Sequence, residues 1–294
     1  MSGGLVVVGV DGSASSLSAV EVAAHEARLR GAGLRVVHAF FWPALHVPLG
    51  ASPYGPAEGG LQNMAERLLN EAVQRAKATE PEVEVTDVMI TGEPLTVLEA
   101  QSREAELVVV GTRGMGGFVG LLVGSTAVHL AAHGQCPVLV VRREPDPDGP
   151  IVLGVDGSPA GQRAIEFAFA EAELRGAPVL ALHAWSTWTA PMPPPPDPVE
   201  PYAHEPGALR AEEEQLLSQA LAGHQEKHPD VQVERTVVQG GVREALIEAS
   251  RSARMLVVGA RGRGGFTGLV LGSVSQAMLH HAYCPVAVVR APRE

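Results

Sequence analysis

This chain carries one sequence pattern twice. VVGVDGS, from Val7 to Ser13, returns as VLGVDGS, from Val152 to Ser158, and EARLRGA, from Glu26 to Ala32, returns as EAELRGA, from Glu171 to Ala177. VHAF (Val37 to Phe40) returns as LHAW (Leu182 to Trp185). The early pairs stand 145 positions apart, as Asp11 and Asp156 do; from the third strand onward the separation is 148, as between Cys136 and Cys284. Self-similarity over such a length decides the architecture before any local reading, because each copy must fold in the same way. Two tandem domains are predicted, 1–143 and 150–294, joined by a charged, proline-bearing linker at about 144–149. Three residues added in the second copy fall between Trp185 and Val231, in or near the loop WSTWTAPMPPPPDPVEPYAHEPG.

Within each copy, short apolar segments alternate with amphipathic ones, the pattern of a parallel sheet covered by helices. The first copy predicts strands at Leu5–Val10, Leu34–Ala39, Val83–Ile90, Leu107–Gly111 and Val138–Arg142. Helices are expected from about Ser15 to Arg30, Gly60 to Lys77, Pro94 to Arg103 and Ser125 to Ala132. Ser158 is placed to cap a helix with Pro159 in its first turn, and Pro94 and Ser125 stand at similar starts. The fold class is therefore α/β: two tandem doubly wound domains, each a five-stranded parallel sheet with helices on both faces, binding ligands beyond the carboxyl ends of the strands.

Half of 294 residues suffices for a core of its own. No apolar run approaches the roughly 18 residues of a membrane span, and no basic leader precedes the first strand, so a cytoplasmic protein with no membrane partner is expected. Cys136 and Cys284, each before a proline at matching points, suggest a repeated packing position instead of a disulfide. A net charge of -11 disfavours nucleic acid while leaving room for a small anion in a local positive pocket.

The segment GTRGMGGFVGLLVGST, from Gly111 to Thr126, returns as GARGRGGFTGLVLGSV, from Gly259 to Val274, with the spacing G-x2-G-x9-G-S kept. Glycines allow close approach of backbone to ligand, and a helix N-terminus adds unpaired N–H groups and a favourable dipole for phosphate. No lysine follows the last glycine, so this is not a Walker A loop, and it does not follow the first strand, so it is not the dinucleotide fingerprint. Phosphate would be held by amides, hydroxyls and Arg113 or Arg261. Asp11 and Asp156, at the end of the first strand in V-D-G-S, would repel phosphate; they suit a ribose, a base or a phosphate-bound metal. Their plainer role is to cap the following turn, and the two roles are compatible.

The V-D-G-S strand end, the G-x2-G-x9-G-S pattern and a closing C-P-V-x-V-V strand together resemble the universal stress protein family, in its ATP-binding branch and tandem two-domain form. The resemblance covers nearly the whole chain. It implies flavodoxin-like (Rossmann-like) domains with one ATP in each, carrying Mg2+ on its phosphates. Gly9 and Asp11 would then meet the nucleoside and the backbone at Ala39 the adenine. Gly111, Thr112, Arg113, Gly114, Met115, Gly116 and Gly117 would wrap ribose and phosphates, with Gly124, Ser125 and Thr126 on the phosphates. The second set is Gly154, Asp156, Ala184, Gly259, Ala260, Arg261, Gly262, Arg263, Gly264, Gly265, Gly272, Ser273 and, in place of Thr126, Val274. That valine removes a hydroxyl, so either Ser275 replaces it or the second site is weaker.

The resemblance further implies a nucleotide-dependent stress-response or regulatory module, a homodimer with a regulatory protein partner, and closing strands that pair antiparallel. A slow ATPase or phosphotransfer enzyme is the first alternative, but the repeated motifs share no Glu, Asp or His beyond Asp11 and Asp156 to activate water. A nucleotide-free scaffold is the second, and it would not need the glycine pattern.

Other residues are assigned plainer roles. His129 and His133 have the i, i+4 spacing of metal ligands but no HExxH glutamate and no third ligand nearby in sequence, so they are expected to be packed or solvated, as are His280 and His281. His38 and His183 are expected to pack near the adenine position. PMPPPPDP (Pro191 to Pro198) suits a stiff loop, and Glu166, Glu171 and Glu173 a solvated helix face.

Overall fold

LVVVG occurs at both Leu5–Gly9 and Leu107–Gly111, and both segments are strands whose central valines are almost wholly inaccessible. Consecutive buried residues in a strand mean that both faces of the sheet are covered. The computed structural model describes residues 4–40, 60–112, 124–186, 208–262 and 271–291. Its contacts gather the chain into two compact units, Met1–Glu144 with Pro285–Glu294, and Pro145–Cys284.

The first unit runs β1 (Leu5–Gly9), α1 (Ala14–Arg30), β2 (Gly33–Phe40), α2 (Leu61–Thr79), β3 (Val85–Thr91), α3 (Pro94–Gln101), β4 (Leu107–Gly111), α4 (Ser125–His133) and β5 (Val138–Val141). Five parallel strands lie in the order β3-β2-β1-β4-β5, with Val7 opposite Arg35 on one side and Val108 on the other. α1 packs on α2, and α3 on α4. The strand order reverses direction between β1 and β4, and in open α/β sheets that reversal leaves a crevice at the carboxyl ends.

The second unit repeats the plan with β6 (Ile151–Gly154), α5 (Gln162–Arg175), β7 (Val179–Trp185), α6 (Ala208–Leu221), α7 (His224–Lys227), β8 (Val233–Gln239), α8 (Val242–Ala249), β9 (Met255–Gly259) and α9 (Ser273–His281). Its parallel order is β9-β6-β7-β8. The closing strand β10 (Val286–Val289) is counted with the first unit because it pairs antiparallel with β5, Val286 opposite Val140 and Val288 opposite Val138. The expected α/β doubly wound class is what the chain adopts, and no helix among the described residues is long and apolar enough to cross a membrane.

Two local expectations change. Ser158 caps a single 3-10 turn, Pro159–Gly161, accepting from the Gly161 N–H at 3.2 Å, and α5 starts only at Gln162. Proline followed closely by glycine starts a turn well but propagates a helix poorly. Glu171 is not solvated: it is 3% exposed and pairs with Arg175 one turn on, as Glu26 pairs with Arg30 in α1. These pairs explain why EARLR and EAELR keep their first and last members. Glu166 and Glu173 do lie on the exposed face.

Cys136 and Cys284 are both free thiols, and burial pushes each up to about 12. Thiolate at pH 8 is then roughly one part in ten thousand. Native protein is expected to react with an alkylating reagent far more slowly than urea-unfolded protein, measured by mass shift over time. Unfolded thiols ionise near about 8.5 and folded ones later, so the native state binds more protons above that pH. Stability therefore falls as pH rises through the window between the two values.

Candidate functional site

The site begins where β1 and β6 end. Each strand runs into an aspartate-glycine turn, and Gly12 (φ 85°) and Gly157 (φ 70°) take the left-handed conformation that side chains disfavour. The turn fixes the preceding carboxylate. Asp11 Oδ1 accepts from the Ser13 N–H at 3.0 Å; Asp156 Oδ1 accepts from the Ser158 N–H at 2.9 Å and from its hydroxyl at 2.8 Å. The capping role expected as the plain alternative is thus real. In the second unit Asp156 also faces outward across the crevice, since a Cβ added to Gly262 would sit 2.7 Å from Asp156 Oδ2. Strand end and glycine segment, 106 residues apart, meet there.

In the first unit the described residues join strand end and glycine segment through Ser15 and Thr112. Ser15, in the first turn of α1, accepts from the Thr112 N–H at 2.9 Å, and its hydroxyl lies 3.4 Å from that of Thr112. Gly111 carries no side chain because Ser15 occupies the space: a Cβ would lie 2.5 Å from its Oγ and 2.6 Å from its carbonyl oxygen. Ser15 is a residue of the candidate site that sequence reasoning missed. The hydroxyl-rich run SASS after V-D-G was the available signal, but the second copy has Ala160 at the matching point.

Both glycine segments are pinned at their ends. The Gly124 N–H donates to the Thr112 carbonyl at 2.6 Å and the Gly272 N–H to the Ala260 carbonyl at 2.8 Å. These bonds place the first residues of α4 and α9 beside the ends of β4 and β9. Both helices have glycine at the N-cap and, among the described residues, no side-chain cap, which offers early N–H groups to a ligand. Ser125 and Ser273 are exposed there, and Thr126 and Val274 partly so. Ser275 is buried, and its hydroxyl donates to the Gly259 carbonyl at 2.6 Å, so its proton goes to the chain itself. Arg261 and Gly262 are exposed, and Ala260 is buried beneath them. Arg113, Gly114, Met115, Gly116, Gly117, Arg263, Gly264 and Gly265 lie outside the described residues.

Gly9 and Gly154 have a packing reason to be glycine. A Cβ at Gly9 would lie 2.9 Å from Leu98 of α3, and one at Gly154 would lie 3.3 Å from Leu246 of α8. Their absent side chains let these helices close over the strand ends. Ala39 and Ala184 sit near the ends of β2 and β7, opposite Ile90 and Val238. Beside them, His38 Nδ1 lies 2.8 Å from the Val10 carbonyl and His183 Nδ1 lies 2.7 Å from that of Val155. Each histidine ties a turn to the neighbouring strand, the packing role expected of it. His183 also has Nε2 at 2.7 Å from Glu213, in a buried pair, where the first copy has Ala65.

Comparison with known proteins bears on the family and the fold. The sequence profile of the universal stress protein family matches residues 5–142 and again 149–290. A universal stress protein of Mycobacterium tuberculosis is 37% identical over 308 residues, covering 98% of this chain and 96% of the relative. A second from the same organism is 38% identical over 296 residues, covering 97% and 96%. Among solved structures, a universal stress protein from Archaeoglobus fulgidus superposes with a TM-score of 0.68 at 19% identity, covering 98% of this chain and 96% of that one, a likeness of fold.

Proposed function

This chain belongs to the universal stress protein family, and from that premise we propose that each unit binds one ATP at the carboxyl edge of its sheet. The observation that carries the reading is the meeting of Asp156 with Gly262 beside the uncapped start of α9. A carboxylate suits ribose hydroxyls or a metal on the phosphates, and a helix start suits the phosphates themselves. The group fits the residues present: the donors are backbone N–H groups and hydroxyls, as an anion requires, with Arg261 exposed nearby. Mg2+ would enter on the phosphates. The protein acts in this reading as a cytoplasmic regulatory module whose form or partner changes with nucleotide occupancy, working as a homodimer. With Val274 for Thr126 and Ser275 turned inward, the second site binds more weakly.

The test is chemical. Protein purified without added nucleotide and then denatured should release ATP, approaching one per unit after incubation with excess ATP and gel filtration. Gly262→Glu puts bulk and negative charge against Asp156 and should lower affinity at the second site more than about tenfold, leaving the first unchanged. An empty supernatant together with no calorimetric heat on adding ATP would overturn the reading. Phosphate release beyond one turnover per site would make the protein an ATPase instead.

A further inference from the structure

Helices α3 and α4 bring together three residues from two separate stretches of sequence. Glu99 on α3 and His129 and His133 on α4 each offer one ligand atom such that all three lie within 4.8 Å of one another. His129 Nε2 is 3.6 Å from Glu99 Oε2, and the imidazoles of His129 and His133 stack with centroids 4.2 Å apart and planes at 22°. All three are partly accessible, while their neighbours in sequence Leu98, Leu130 and Ala131 are buried, and α3 packs on α4.

We propose that Glu99, His129 and His133 form a binding site for a divalent transition-metal ion of the zinc type, in the first unit alone. Two imidazoles and one carboxylate are a donor set that zinc accepts, with a fourth position left for water. Ligand atoms at ordinary zinc distances in a tetrahedral site are about 3.4 Å apart. The His129–Glu99 separation already meets this, and the remaining closure needs only rotation of accessible side chains. A metal would join the Glu99–His129 pair with the imidazole of His133, stacked one turn further along the same face. The second copy supplies the control. At the matching positions it has Ile247, Ala277 and His281, so two of the three donors are gone. The i, i+4 spacing of His129 and His133 suited a metal but lacked a third ligand, and the packing of α3 on α4 provides one.

The test uses the full chain, free of any histidine tag and stripped with EDTA. Titration with Zn2+ should show one saturable site per chain, and Co2+ should give the visible bands of a four-coordinate ion. Glu99→Gln and His129→Ala should each weaken Zn2+ binding at least about tenfold, and His281→Ala should leave it unchanged. Circular dichroism of the metal-free variants checks that they fold; His133→Asn, a milder change on an accessible face, gives the same comparison should His129→Ala fail to fold. Absence of a saturable site, or affinity unaltered by the Glu99 and histidine substitutions, overturns the proposal.

Discussion

Gly111→Ala is expected to destabilise the first unit by about 3 kcal/mol, lowering its melting temperature by roughly 6 to 12 °C. One added methyl group would lie 2.5 to 2.7 Å from the Oγ, carbonyl oxygen and carbonyl carbon of Ser15. Two of these are backbone atoms in the first turn of α1, so the helix start must move off β4. That movement breaks the bond from the Thr112 N–H to Ser15, and ATP affinity at the first site should fall with it. Among the described residues the matching change, Gly259→Ala, meets the Arg261 carbonyl at 3.1 Å, with the next atom 3.9 Å away. The lower entropy of the unfolded chain offsets that contact, leaving a net effect within about 1 kcal/mol. Scanning calorimetry of both variants separates the outcomes, and equal losses would refute the assigned contact.

Arg175→Met is the larger test of the buried pairs. Side-chain exposures of 5% for Arg175 and 4% for Glu171 mean that removing the guanidinium takes its charged partner from a carboxylate held out of water. Breaking such a pair from one side costs about 3 to 5 kcal/mol, whereas replacing both members by apolar groups of similar size is often neutral or stabilising. The double variant Glu171→Leu/Arg175→Met should therefore be much more stable than Arg175→Met alone. Urea unfolding curves at neutral pH measure both, and a double variant as unstable as the single would show that the pair itself holds α5 in place. Glu26 and Arg30 should behave alike, with exposures of 5% and 10%.

Strand and helix positions were largely legible because their signals are local. LVVVG is buried on both faces wherever it occurs, and boundaries differ from expectation by a few residues at most, as at Val85 where the third strand begins. Glu171 was misread for a related reason: helical spacing shows which residues share a face, but not that a carboxylate with its own arginine one turn on can be tolerated inside. His183 was legible as a packed residue, whereas its partner Glu213 was not, because α6 and β7 meet only in the folded chain. Ser15 escaped notice because its partner Thr112 lies 97 residues away.

By itself the sequence determined that there are two copies, that each alternates strands with helices, and that glycine and aspartate mark the strand ends. These follow from periodicity and backbone freedom, which depend on neighbours along the chain. Only the tertiary structure decided that Asp156 faces Gly262, that Ser15 fills the place of a side chain at Gly111, and that Glu99 stands with His129 and His133. Such meetings depend on strand order and on which helices share a face. Those are set by how the whole sheet buries its apolar surface, so identical motifs in two copies can acquire different neighbours.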